Sequence, residues 1–151
     1  MREIRTEIEI GAPPEEVWRV LTDFETFPEW NPLVKSAAGE LREGGRLEIF
    51  VQVPEGRGMK FRPKVLRVEP ARELRWVGSL PLNLFNGEHI FRLEPAGPGR
   101  TRFLHGERFT GLLIPFMNST IEKTRRGYLL MNEALKRRVE GARPRAAEAT
   151  T

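Results

Sequence analysis

Residues 87–111, GEHIFRLEPAGPGRTRFLHGERFTG, contain two segments in which polar and apolar residues alternate, separated by a segment rich in proline and glycine. Alternation with a period of two predicts half-buried strands, and proline and glycine favour the dihedral angles of turns. The segment therefore predicts an antiparallel hairpin. A turn about Pro98 pairs Leu93 with Phe103, Phe91 with His105 and His89 with Glu107.

The same signals extend to both sides of this hairpin. Turn residues divide the chain from Leu33 to Gly111 into short segments, none long and periodic enough for a helix. Strands are predicted near 33–41, 46–53, 60–68, 73–80, 88–94 and 101–110, and an alternating segment at 3–10 adds another. The sequence thus predicts a curved, seven-stranded antiparallel sheet, which is long enough to twist around another element.

Helices are predicted on either side of this run of strands. The segment 12–18, APPEEVW, opens a short helix with prolines and acidic residues in its first turn, and 24–32 allows one further helical turn. Residues 115–139 form a long helix, because their apolar side chains recur every three or four residues. We therefore predict an α+β fold: one domain over 1–140, wrapped around the C-terminal helix, and a disordered tail over 141–151.

Composition excludes several classes of function. The 151 residues include no cysteine and only two histidines, so neither thiolate chemistry nor a metal site is predicted. No dinucleotide-binding, P-loop or hydrolase motif is present, and no cofactor is expected. The net charge of +4 is concentrated in the last helix, which favours a solvated helix face over a nucleic-acid site. The charged N-terminus and the lack of a long apolar segment predict a cytoplasmic protein. The oligomeric state is left open between a monomer and a homodimer.

The order of elements, together with three segments, resembles a known superfamily. The segments are 12–18 (APPEEVW), 27–32 (FPEWNP) and the hairpin containing GEHIFRL and ERFTG. The chain is similar in them to the START/birch-pollen-allergen helix-grip (SRPBCC) superfamily, and most of all to its polyketide cyclase/dehydrase-like branch. The resemblance covers nearly the whole chain. It implies a cavity between the sheet and the long helix, but not one function, because this architecture serves carriers, enzymes and regulators alike.

Alternation along the strands and spacing along the last helix predict which residues reach that cavity. The candidates are Trp30, Phe50, Phe61, Trp76, His89, Phe91, Phe103, His105, Glu107, Phe109, Met117 and Tyr128. Trp30, between two prolines, either fills the core or covers the cavity entrance. The apolar loops 80–87 and 111–116 indicate a cavity rim, an oligomer contact or a surface that touches lipid.

His89, His105 and Glu107 are the candidates for chemistry. Histidine titrates near neutrality, and burial or a carboxylate neighbour shifts its pKa in either direction. The three groups can satisfy one another by hydrogen bonds, recognise a polar part of a ligand, or transfer a proton. Their spacing is not diagnostic of a metal site, and none is predicted.

Three functions follow from these observations. The first is a non-catalytic carrier of an apolar or amphipathic molecule such as a lipid, polyketide, isoprenoid or aromatic metabolite. The second is a cyclase or dehydratase that uses the His/Glu wall for proton transfer. The third is a protein-binding regulator, which a cavity filled by the chain's own side chains would favour.

Overall fold

A computed structural model describes residues 1–142 of the chain. The strands are β1 (Arg2–Ile10), β2 (Val34–Gly39), β3 (Leu47–Gln52), β4 (Gly58–Phe61), β5 (Lys64–Glu69), β6 (Glu73–Leu80), β7 (Phe85–Pro95) and β8 (Thr101–Thr110). The α-helices are α1 (Pro14–Thr22), α2 (Phe27–Trp30) and α3 (Asn118–Gly141), and 3₁₀ turns lie at Phe24–Thr26 and Ile114–Phe116. The predicted α+β fold, with short helices after the first strand and one long C-terminal helix, is confirmed.

The strands form two antiparallel sheets. The larger has the order β1-β8-β7-β6-β5, and the smaller has the order β2-β3-β4. In the β7–β8 hairpin His89 pairs with Glu107, Phe91 with His105 and Leu93 with Phe103, so the predicted register is confirmed. This register places the two histidines and Glu107 on the face that α3 covers.

The predicted count of seven strands is wrong by one, because the segment 60–68 contains two strands. Pro63 interrupts it: proline has no N–H group for the ladder, and its carbonyl instead accepts a hydrogen bond from the Leu47 N–H at 3.0 Å. β4 ends before this proline and pairs with β3, whereas β5 begins after it and pairs with β6. The chain thus passes from the smaller sheet to the larger one at Pro63.

Helix α3 packs mainly on β1 and α1, and its N-terminal part faces the space between the two sheets. Its buried residues include Ile121, Tyr128, Met131 and Leu135, which agrees with the spacing of three and four residues predicted from the sequence. It begins at Asn118 rather than Pro115, because Ile114–Phe116 form a separate 3₁₀ turn. Gly141, the first residue of the predicted tail, is the last residue of α3, and the tail from residue 143 onward lies outside the described residues.

Candidate functional site

A cavity of about 280 Å³ lies between the two sheets and the N-terminal part of α3. Exposed residues such as Arg57, Met59 and Leu80 are part of its wall, so the cavity reaches the surface. The wall is predominantly apolar. Its lining residues are Leu33, Val34, Ile49, Val51, Val53, Arg57, Met59, Phe61, Pro63, Trp76, Gly78, Leu80, Phe85, Gly87, His89, Glu107, Phe109, Leu113, Met117, Thr120, Thr124 and Tyr128.

More than half of the predicted cavity residues lie on this wall. They are Phe61, Trp76, His89, Glu107, Phe109, Met117 and Tyr128. The structure thus brings together side chains from the smaller sheet, the larger sheet and α3.

The other five predicted residues do not line the cavity. Phe91 and Phe103 are fully buried in the core, and His105 lies behind His89. Trp30 packs edge-on against Phe27 with ring centroids 5.3 Å apart, which supports the core alternative for this residue over the entrance alternative. Phe50 lies over Gly58, where a Cβ would clash with its ring, because the alternating neighbours Ile49 and Val51 take the cavity face of β3.

The sequence analysis missed several parts of the wall. Val51 in β3 and Val53 just after its end both line the cavity. The alternation of side chains along β3 is the sequence signal that could have identified them. Gly78 and Gly87 line the cavity with backbone alone, a contribution that residue type does not reveal. Arg57 supplies a cationic side chain at the exposed part of the wall.

Three polar side chains of the cavity wall, His89, Glu107 and Tyr128, lie in contact with one another. Strand pairing sets His89 opposite Glu107, and α3 adds Tyr128 from above the sheet. When Glu107 is ionised, the Tyr128 hydroxyl donates a hydrogen bond to Glu107 Oε1. The same hydroxyl oxygen lies 3.3 Å from His89 Nδ1. His89 Nδ1 is 3.7 Å from Glu107 Oε1. We call these three residues the polar end of the cavity.

Burial shifts the pKa of every group at the polar end. It raises the pKa of Glu107 to about 7, against the opposing effect of the Tyr128 hydrogen bond, and it raises the pKa of Tyr128. Burial, and then the proximity of His105, lower the pKa of His89 well below 6.5. The His89 imidazole and the Tyr128 phenol are therefore both neutral at pH 7. Glu107 is the group at the polar end that titrates near neutrality.

A line of buried hydrogen bonds continues from the polar end into the core. His89 Nε2 is 2.7 Å from His105 Nε2, and His105 Nδ1 is 2.7 Å from Asn132 Oδ1. Asn132 Nδ2 donates to Thr6 Oγ1 at 2.8 Å, and Thr6 Oγ1 donates to the His105 carbonyl at 2.7 Å. Burial lowers the pKa of His105 to about 3, although the bond to Asn132 opposes this. Sequence analysis did not single out Asn132 or Thr6 as site residues.

The two apolar loops that contribute Leu80 and Leu113 to the cavity wall also carry exposed apolar side chains. Leu82 and Phe116 are 84% and 85% exposed, and both lie in the apolar loops identified in the sequence. Backbone hydrogen bonds from Leu112 to Asn83 and from Leu113 to Leu84, each 3.0 Å, join the two loops. Leu80 and Leu113 also line the cavity, which supports the rim interpretation of these loops.

Two general searches of the described residues give negative results. Within 1–142, no three or more acidic, histidine or cysteine side chains are grouped as metal ligands would be. None of the helices in that part of the chain is both long and apolar enough to span a membrane.

The order of elements, the covering helix and the cavity agree with a sequence comparison. Residues 1–141 match the family described as polyketide cyclase/dehydrase and lipid transport. The chain belongs to this family. The resemblance inferred from the sequence is thereby confirmed over almost the whole chain. No curated protein matches the sequence.

Solved structures show the same fold. The Zhui aromatase/cyclase from Streptomyces sp. R1128 superposes with a TM-score of 0.78 at 18% identity, covering 97% of each chain. A START superfamily protein from Mycobacterium smegmatis gives 0.73 at 21% identity, covering 93% of this chain and 99% of that one. A protein from Thermus thermophilus gives 0.74 at 21% identity, covering 95% and 100%. At these identities the likeness establishes the fold of this family member and not its activity.

Proposed function

We propose that this chain binds a predominantly apolar small molecule in the cavity, with one polar group of the ligand placed against His89, Glu107 and Tyr128. The observation that carries the proposal is the asymmetry of the wall, which is predominantly apolar but brings His89, Glu107 and Tyr128 into contact at one end. Ligand sites commonly combine an apolar cleft with a few polar groups that fix orientation. Membership of a family described as polyketide cyclase/dehydrase and lipid transport supports the same conclusion.

The cavity volume limits the size of the ligand. At about 280 Å³ it is close to the lower end of ligand pockets, which span roughly 300–1,000 Å³. A small ring system or a short chain suits this volume better than a lipid with two acyl chains. The methionines Met59 and Met117 in the wall adapt to ligands of different shape, because their side chains are flexible.

Native mass spectrometry of the protein purified from its own host, followed by organic extraction, tests this proposal. The expected result is a bound apolar compound at stoichiometric occupancy, which is absent from Val51→Phe because the added ring fills the cavity. Leu66→Phe is the matched control, since it places the same aromatic ring at an exposed position on β5. Protein that carries no ligand, and that also binds no apolar compound when these are added, would contradict the proposal.

A second candidate function is proton transfer during cyclisation or dehydration. The observation that favours it is the placement of Glu107 on the cavity wall beside Tyr128 and His89. Burial there raises the pKa of Glu107 to about 7, and a general acid or base works best when its pKa is near the working pH. Turnover of an accepted substrate that falls in Glu107→Gln, with ligand binding retained, would support catalysis. Unchanged turnover in Glu107→Gln and in His89→Ala would exclude it. The open cavity gives no support to the protein-binding alternative.

A further inference from the structure

The donor and the acceptor of each buried hydrogen bond from Thr6 to His89 can be assigned in turn, because each assignment determines the next. A backbone carbonyl only accepts, so Thr6 Oγ1 must donate its proton to the His105 carbonyl. Thr6 Oγ1 is then free to accept from Asn132 Nδ2, which fixes the orientation of the Asn132 amide. Asn132 Oδ1 therefore faces His105 Nδ1, and that ring nitrogen must carry the proton.

The assignment continues through the two imidazoles. A neutral His105 with its proton on Nδ1 has a bare Nε2, which accepts from His89 Nε2–H at 2.7 Å. A neutral His89 with its proton on Nε2 presents a bare Nδ1 to the polar end of the cavity. The two histidines thus have opposite tautomers, set by Thr6 and Asn132 at the far end of the line.

The bare Nδ1 of His89 is an acceptor, and Tyr128 Oη is the described protein group within hydrogen-bond distance of its outer side. Whether Tyr128 can donate to it depends on the protonation state of Glu107. When Glu107 is protonated on Oε1, it donates to Tyr128 Oη, and the Tyr128 hydroxyl donates to His89 Nδ1 at 3.3 Å. When Glu107 is ionised, Tyr128 must donate to the carboxylate, and the Tyr128 proton no longer reaches His89. The complete line therefore runs in one direction, from a neutral Glu107 to the His105 carbonyl, and the pKa of about 7 at Glu107 agrees with this.

The remaining carboxyl oxygen of Glu107 is directed to the cavity. Oε1 holds the contacts with Tyr128 and His89, whereas none of the hydrogen bonds within residues 1–142 involves Oε2. Oε2 lies beside Gly87, and both residues line the cavity. With the proton on Oε1, Oε2 is a carbonyl-type oxygen that can only accept.

We infer that the one-way hydrogen-bond line makes Glu107 Oε2 an acceptor for the ligand, so that the cavity selects an apolar compound with an alcohol or phenol hydroxyl. This rests on the proposed function and adds the chemical class of the ligand. A carboxylate or an ether places an acceptor against Oε2 and leaves both oxygens unsatisfied. A cationic amine favours the ionised Glu107, which deprives His89 Nδ1 of its donor.

Histidine tautomers test the line without any ligand. The protein has only two histidines, so long-range ¹H–¹⁵N correlation spectra of labelled protein resolve both rings. The expected result at pH 6 is a protonated Nε2 on His89 and a protonated Nδ1 on His105. The same tautomer on both rings, or an imidazolium on either, would overturn the inference. Asn132→Leu should remove the fixed pattern, because its side chain neither accepts from His105 nor donates to Thr6.

Matched ligands test the selectivity. Calorimetry at pH 6 measures the affinity of the wild-type chain for naphthalene, 2-naphthol, 2-methoxynaphthalene and 2-naphthoate. We expect 2-naphthol to bind about tenfold or more tightly than each of the other three compounds. A difference of this size is expected for one buried hydrogen bond. Equal affinity for naphthalene and 2-naphthol would leave the proposed function intact and overturn the hydroxyl preference. Failure of all four to bind would count against the proposed function itself.

Two variants at position 107 separate hydrogen bonding from packing. Glu107→Gln can donate from its amide nitrogen to Tyr128 and accept from the ligand with its amide oxygen, so it should keep the preference for 2-naphthol. Glu107→Leu keeps a side chain of similar size but can neither donate nor accept a hydrogen bond. It should therefore bind 2-naphthol and naphthalene with equal affinity. A preference that survives in Glu107→Leu would show that another group recognises the hydroxyl. A preference lost in the glutamine variant would contradict the assigned direction.

Discussion

Gly87 on β7 leaves the space that the Glu107 carboxyl group on β8 occupies. A Cβ atom at position 87 would lie 2.5 Å from Glu107 Oε2 and 3.1 Å from the Phe85 ring. Gly78, its partner across the strand pair, also lines the cavity, but a Cβ there would meet nothing within 4 Å. The two glycines therefore differ in one respect that matters for the site: only Gly87 controls where the carboxyl group sits.

Gly87→Ala should displace the Glu107 carboxyl group, and Gly78→Ala should not. We expect Gly87→Ala to weaken binding of 2-naphthol about tenfold and to destabilise the chain by about 1–3 kcal/mol, because the methyl group forces neighbouring side chains to shift. Gly78→Ala should keep the preference for 2-naphthol over naphthalene, because its methyl group does not meet Glu107, and should unfold at the same or a slightly higher denaturant concentration. Calorimetry and urea unfolding of both variants provide the measurement. Equal effects in the two variants would contradict the role assigned to Gly87.

The raised pKa of Glu107 should make stability depend on pH in a defined direction. In the folded chain this carboxyl group holds its proton up to about pH 7, whereas its ordinary pKa is 4.5. Its contribution to the free energy of unfolding is therefore fully present below pH 4.5 and is lost as the pH rises through 7. The difference between the two pKa values corresponds to at most about 3 kcal/mol, and less because the side chain is 13% exposed.

Glu107→Gln isolates this contribution, since it removes the titration and leaves both histidines in place. We expect the free energy of unfolding of the glutamine variant, relative to wild type, to rise between pH 4.5 and 7.5 and to stay constant above pH 8. Urea unfolding of both proteins at a series of pH values measures it. A difference that does not change with pH would show that Glu107 titrates near its ordinary value.

The β7–β8 register was predictable because each strand carries apolar residues on alternate positions and the turn between them is marked by Pro98. Register then placed His89 against Glu107 without any structural information. The break at Pro63 was also marked in the sequence, since proline cannot donate within a ladder. It was missed because apolar residues continue on both sides of it, from Phe61 to Val65.

The exact lining of the cavity depends on packing that a strand pattern does not contain. Phe91 and Phe103 do face inward, but farther along the hairpin than the cavity, where they are buried in the core. Thr6 and Asn132 are 126 positions apart and meet only because α3 packs on β1. A polar residue on the buried face of a helix is a sequence signal for such a contact, but the partner is set by the tertiary structure.

Asn132 should be among the polar residues whose loss is most costly to the fold. Asn132→Leu leaves His105 Nδ1 without a partner and removes the hydrogen bond that Thr6 Oγ1 accepts, in a region where both residues are buried. Each unsatisfied buried group costs about 1–3 kcal/mol, so we expect a loss of about 2–5 kcal/mol in the free energy of unfolding. Glu133→Leu, at an exposed position in the interior of the same helix, is the matched control and should change stability by about 0.5 kcal/mol or less. Similar losses in the two variants would contradict the structural role of the buried line.

Glu73 should control acid stability from outside the cavity. Its side chain on β6 is only 5% exposed and contacts Arg67, Arg75 and Arg92, each at 2.9 Å. Burial alone would raise the pKa of Glu73, but the hydrogen bonds from the three arginines outweigh it and lower the pKa to about 2. The carboxylate therefore stabilises the fold fully above pH 4.5, and this contribution is lost as the pH falls through 2.

Glu73→Gln should remove this stabilisation and leave ligand binding unchanged, since none of the four side chains lines the cavity. Arg67 and Arg92 are about half exposed, so solvent screens the cluster and we expect a loss of about 1–2 kcal/mol at pH 7. Between pH 4.5 and 2.5 the glutamine variant and the wild type should converge in stability, because the wild-type carboxylate loses its advantage as it gains a proton. Urea unfolding at pH 7 and pH 3 measures both values. A deficit of the same size at the two pH values would mean that Glu73 acts through shape and neutral hydrogen bonds rather than through its charge.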